Sequence, residues 1–135
     1  MSVPEAVREL AERYTAAWCS QKAARVAEHY AADGSLRVND GPASVGREAI
    51  TATAQSFMTA FPDMCVALDD LRAEGDGYVY HWTLTGTNSG PGGTGKRVRI
   101  SGYEEWRLSE DGLLARSLGH FDAAEYARQL REGVE

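Results

Sequence analysis

The stretch Lys96-Arg97-Val98-Arg99-Ile100-Ser101-Gly102-Tyr103-Glu104-Glu105-Trp106-Arg107-Leu108 decides the fold. Its side chains alternate in character with a period of two, which is the period of a strand. Val98, Ile100, Gly102, Glu104, Trp106 and Leu108 share one side, and Arg97, Arg99, Ser101, Tyr103, Glu105 and Arg107 share the other. The first set reads as the inner face, and Glu104 is its only charge. A carboxyl on a buried face must be paired, hydrogen-bonded or protonated, so its pKa is expected to be raised. Proton donors and acceptors are tuned in this way. A structural carboxylate bonded to an Arg or Tyr of a helix fits the same position.

The alternation continues on both sides of this strand. Met64–Glu74 reads as a strand that meets Tyr78–Asn88 across the hairpin signal Gly75-Asp76-Gly77. In Tyr78–Asn88 the aromatics Tyr80 and Trp82, with Leu84 and Gly86, form the inner side. Val79, His81, Thr83, Thr85 and Thr87 form a Thr-rich outer side. The loop Ser89–Gly95 leads into the long strand. It is rich in glycine but lacks a strand-to-helix setting and a G-K-[ST] sequence, so it reads as a hairpin loop rather than a phosphate cradle. Ser109-Glu110-Asp111-Gly112 turns the chain into a last strand, Leu113–Phe121. There Leu114, Leu118, His120 and Asp122 fall on one side, with Arg116 accommodated by a bulge.

Before Met64 the period is helical. Val3, Val7, Leu10, Tyr14 and Ala17/Trp18 mark one face of a first helix. Ser20 is placed to cap a second helix running through Val26, Ala27 and Tyr30, closed by Asp33-Gly34. A short alternating run follows, with Leu36, Val38 and Asp40 together, and Gly41-Pro42 turns it. A third helix spans Gly46 to Ala60, with Ile50, Ala54, Phe57 and Phe61 on its buried stripe, and Pro62 stops it. Ala123 to Arg131 is a short terminal helix. Helices first and antiparallel strands after predict an α+β domain, with the helices on one face of a curved antiparallel sheet.

The chain has 135 residues, which fits one domain over 1–135 without repeats or linkers. A 43% hydrophobic share and 25% charged residues are ordinary for a globular protein. The net charge of −6 argues against nucleic acid and anionic lipid surfaces, which are bound through excess Lys and Arg. No apolar run is long enough to span a bilayer, and the first residues do not read as a secretory signal. Cys19 and Cys65 lack CxxC spacing and are expected to be reduced core thiols of a cytoplasmic protein. They form no spaced ligand cluster with His29, His81 and His120, so no metal is expected.

Several segments resemble the SnoaL-like branch of the nuclear transport factor 2 fold. They are Ala17-Trp18 through His29-Tyr30-Ala31-Ala32-Asp33-Gly34, Gly46-Arg47-Glu48-Ala49-Ile50, Thr83 through Gly90, Asp111-Gly112-Leu113-Leu114, and Asp122 through Gln129-Leu130. The resemblance covers nearly the whole chain. It implies a cone-shaped curved sheet with three N-terminal helices on its concave face, around a pocket for a small apolar ligand. It also implies pairing of subunits through the outer sheet face, hence a homodimer through the Thr-rich side. Asn88 departs from the family pattern, which often has a histidine there.

The candidate site follows from the faces and from the resemblance together. In SnoaL-like cyclases an aspartate at the position of Asp122 acts as general acid/base. His120, two residues away on the same side, is then its partner. Asp122-Ala123-Ala124-Glu125 is also a capping box, which explains the aspartate without catalysis. Tyr14 and Asp40 resemble the tyrosine and base aspartate of ketosteroid isomerases, although Asp40-Gly41-Pro42 is also turn chemistry. Glu104 or Tyr14 supplies a second donor, and Trp82, Trp106, Phe57 and Phe61 supply apolar wall. His81 belongs to the outer face.

The leading expectation is therefore a cofactor-independent acid/base cyclase or isomerase acting on a small apolar molecule with a carbonyl. The alternatives are a non-catalytic ligand-binding or assembly domain, a ketosteroid-isomerase-like enzyme, or an epoxide-hydrolase-like enzyme. The last uses an Asp-Arg-Asp set on inner strand positions; here the arginines of the long strand face outward.

Overall fold

The computed structural model describes residues 3–134. Its elements in chain order are α1 (Glu5–Cys19), α2 (Ala23–Ala27), β1 (Tyr30–Val38), β2 (Ser44–Val45), α3 (Arg47–Ala60), β3 (Cys65–Glu74), β4 (Gly77–Thr87), β5 (Arg97–Leu108), β6 (Leu114–Phe121) and α4 (Ala123–Glu132). The strands form one curved sheet in the order β2-β1-β6-β5-β4-β3. This is the α+β arrangement expected, with one refinement: β1 runs parallel to β6, while the other neighbours are antiparallel.

Helical spacing explains what holds the helices to the sheet. α1 buries Val7, Leu10, Ala11, Tyr14, Ala17 and Trp18 along one stripe, and α3 buries Ile50, Ala54 and Met58. Gly46 precedes α3 with φ of 90°, a backbone region that side chains with a Cβ avoid. From the next residue, Arg47 Nε donates to the carbonyl of Tyr30 at 2.9 Å and ties α3 to β1. On the sheet's inner face, Tyr80 stacks on Trp106 with ring centroids 4.7 Å apart.

The terminal helix closes one end of the sheet. β6 pairs with β5 only along Gly102–Leu108, so the backbone edge of Arg97–Ser101 needs other partners. α4 and the residues after it supply them. Gln129 Oε1 accepts from the Arg99 N–H at 2.7 Å, and the Val134 N–H donates to the Arg97 carbonyl at 3.0 Å. This docking carries Tyr126 to the rim of the concave face.

Three local readings need correction. The second helix is only Ala23–Ala27. Gln21 takes a left-handed φ of 61°, and Ser20 closes α1 instead of capping α2. Tyr30 begins β1, whose register shifts between Tyr30 and Ser35, so Asp33-Gly34 lies within an irregular strand and not at a helix end. Cys19 and Cys65 are exposed, not core thiols. Among the described residues no helix is long and apolar enough to cross a membrane.

Candidate functional site

Between the helices and the concave face lies a cavity of about 70 Å³. Its wall is aromatic: Trp18 from α1, Phe57 from α3, Tyr80 and Trp82 from β4, Phe121 from β6 and Tyr126 from α4. Leu36, Val66, Leu84 and Ile100 fill the gaps between them. Among the described residues, Glu104 is the only charged side chain in the lining.

Glu104 is 7% exposed and held by three donors. Trp106 Nε1 donates to Oε1 at 2.8 Å, the Ser117 hydroxyl at 2.7 Å and the Tyr14 hydroxyl at 3.1 Å. Because Tyr14 gives its proton to Glu104, Tyr30 is the donor in the 2.8 Å contact between the two tyrosine hydroxyls. Oε1 is thus crowded with donors. Oε2 has only a longer contact to Tyr14, 3.3 Å, and keeps bonding capacity for a proton or a ligand. Burial pushes the Glu104 carboxyl above the ordinary glutamate range, opposed by the hydrogen bonds from Trp106, Ser117 and Tyr14. Burial likewise raises Tyr14 and Tyr30, which keeps both as neutral donors. Gly119 lies beside the carboxyl, and a Cβ there would stand 3.9 Å from Glu104 Cγ; its absence leaves that flank open.

The structure separates the other expected site residues. His120 points away from the cavity. The β5–β6 register shifts between Arg107↔Arg116 and Leu108↔Leu114, so Ala115 is an extra residue and the alternation reverses beyond it. Ser117, Gly119 and Phe121 therefore face inward, while His120 stacks on Tyr103 and binds Glu105 Oε2 at 2.6 Å on the outer face. Asp122 is exposed and caps α4, accepting from the Glu125 N–H at 3.0 Å. Asp40 is exposed in the turn after β1. Trp82 and Phe57 line the cavity. Trp106 and Tyr14 stand behind the wall and act on the cavity through Glu104. Phe61 is fully buried against Gly86 and Tyr126, in core rather than in the wall. His81 lies on the outer face beside Tyr103.

Ser117, Tyr30, Phe121 and Tyr126 escaped the sequence reading. The bulge hides the facing of Ser117 and Phe121, and the helical spacing before Asp33 runs on through Tyr30. Tyr126 carried a usable signal, since it follows a capped helix start with an apolar ring.

The capping role of Asp122 has a measurable consequence. Asp122→Ala is expected to remove about 1 kcal/mol, which lowers Tm by a few degrees. Asp122→Asn, which still caps, should melt with the wild type. Thermal denaturation of both variants checks this.

The fold is shared with proteins of known structure. A candidate SnoaL-like polyketide cyclase from Jannaschia sp. CCS1 superposes with a TM-score of 0.84 at 18% identity, covering 99% of each chain. A candidate polyketide cyclase from Acidithiobacillus ferrooxidans gives 0.76 at 23% identity, covering 99% of this chain and all (100%) of that one. A protein with a ketosteroid isomerase-like fold from Catenulispora acidiphila DSM 44928, in complex with trimethylamine, gives 0.79 at 16% identity over 90% and 91% of the two chains. At these identities the likeness is one of fold. No curated protein sequence matches the chain. The model of the SnoaL-like domain matches residues 11–117, the span from α1 to the inward-facing Ser117, and the chain belongs to that family.

Proposed function

We propose that the chain binds a small, largely apolar molecule bearing a carbonyl in this cavity, and acts on it by acid/base chemistry through Glu104. The observation that carries this reading is the buried carboxyl in an aromatic wall, with one oxygen saturated by donors and the other holding only a longer contact to Tyr14. As a carboxylate, Oε2 takes a proton from the carbon beside the carbonyl; as the acid, it returns one. The raised pKa makes it a better proton acceptor than an exposed glutamate. Trp82 supports a polar group on the ligand. Its indole N–H is buried without a partner, and an acceptor brought by the ligand would relieve that cost. No cofactor is needed for such a step.

The test is exchange of the acidic protons of small cyclic and aromatic ketones in D₂O, followed by NMR. The wild type and Asp122→Asn should both catalyse it. An Asp122→Asn variant that binds the ketone but has lost exchange would return the base role to Asp122. A second reading, binding without turnover, is favoured by the placement of Asp122 and His120 outside the cavity, which leaves one acid/base group there. Ketone binding without exchange would select it.

We also infer a homodimer paired through the outer sheet face. Exposed Tyr103, at 39%, and the threonines of β4 support this. Light scattering should give twice the chain mass, and a monomer would refute the pairing.

A further inference from the structure

Two exposed cysteines, forty-six positions apart in sequence, lie at the same edge of the sheet, where Cys19 Sγ contacts the residue after Cys65. β3 is an edge strand, and Val66 turns its backbone groups outward there. Cys19, the last residue of α1, occupies that edge. Its Sγ accepts from the Val66 N–H at 3.2 Å and donates to the Val66 carbonyl at 3.3 Å. Sγ of Cys19 therefore sits one peptide unit from Cys65 Cα. Disulfides need Cα atoms about 4.4–6.8 Å apart, a separation that the contact of Cys19 Sγ with the Val66 N–H allows.

We propose that Cys19 and Cys65 form a reversible intramolecular disulfide on exposure to a low-molecular-weight disulfide. The Cys65 thiolate attacks one sulfur of the small disulfide, releasing one small thiolate and leaving a mixed disulfide on Cys65. The Cys19 thiol loses its proton and attacks the Cys65 sulfur, forming the Cys19–Cys65 bond and releasing the second small thiolate. Two protein thiols are oxidised, and one small disulfide is reduced to two thiols. Cys65 acts first because Cys19 Sγ is already engaged with Val66 on both sides. Trp18 and Val66, the neighbours of the two cysteines, both line the cavity. The bond would pin the end of α1 to β3 at the cavity wall.

The full chain is incubated with oxidised glutathione, alkylated, digested and mapped by mass spectrometry, with Tm measured in parallel. The expected product is a peptide pair joined at Cys19 and Cys65 within one chain. Closing so long a loop should raise Tm by roughly 5–15 °C, reversed by dithiothreitol. Cys65→Ser should retain the reduced wild type's Tm and gain no internal bond. Glutathione adducts alone, bridges between chains, or unreacted thiols would overturn the proposal.

Discussion

Glu104→Gln is expected to lower proton transfer by at least about 100-fold while leaving the protein as stable as the wild type, or more stable, at neutral pH. The amide keeps the geometry. Its oxygen can accept from Trp106, Ser117 and Tyr14 as Oε1 does, and its NH₂ takes the place of the protonated Oε2. It cannot exchange a proton with a ligand. The stability effect follows from the raised pKa of the buried carboxyl. Between the ordinary glutamate value and the raised one, the folded state holds a proton that the unfolded state has lost. Wild-type stability from this group therefore falls as pH rises through that window, and is undiminished below it. Glutamine carries no such dependence. The difference in Tm between variant and wild type should thus be smallest in acid and grow toward neutral pH. Thermal melts across pH check the stability half, and ketone exchange kinetics check the other.

Gly102→Ala is expected to destabilise the fold by about 3 kcal/mol, a drop in Tm of about 10 °C. Gly102 stands opposite Trp82 on β4 and Phe121 on β6, at the end of the β5–β6 ladder. A Cβ there would overlap the backbone oxygen of His120 and lie 2.7 Å from Trp82 Cζ2. The backbone oxygen cannot swing aside as a flexible side chain would, so β6 must separate from β5 or the Trp82 ring must leave the wall. Either movement disturbs the cavity, and ligand affinity should fall together with Tm. Denaturant titration of the variant checks the energy. Wild-type stability in Gly102→Ala would show that Trp82 and β6 make room for the added methyl without loss.

The sequence exposed the part of this site that lies on regular strand. Along β5 the period of two is unbroken, so Glu104 and Trp106 could be placed inside and Tyr103 and Glu105 outside from pattern alone. β6 defeated the same method. One extra residue, Ala115, moves every later side chain to the opposite face, which turned His120 outward and Ser117 inward. Asp122 was ambiguous in principle, because a helix cap and a catalytic acid use the same residue at the same place. The Tyr14–Tyr30 contact joins a helix to an irregular strand whose Ala-Ala-Asp-Gly run looks like a helix end. The contact of Cys19 with Val66, beside Cys65, depends on where α1 meets the sheet edge, which no local pattern encodes.

The role of Glu104 is tested most sharply by titrating its carboxyl by ¹³C NMR of glutamate-labelled protein, assigned by the signal missing from Glu104→Gln, with and without a small apolar ketone. Glu104 should titrate above the ordinary glutamate range, and its signal should shift when the ketone binds. Titration in the ordinary range, or a Glu104 signal unmoved by a ketone that binds, would contradict it.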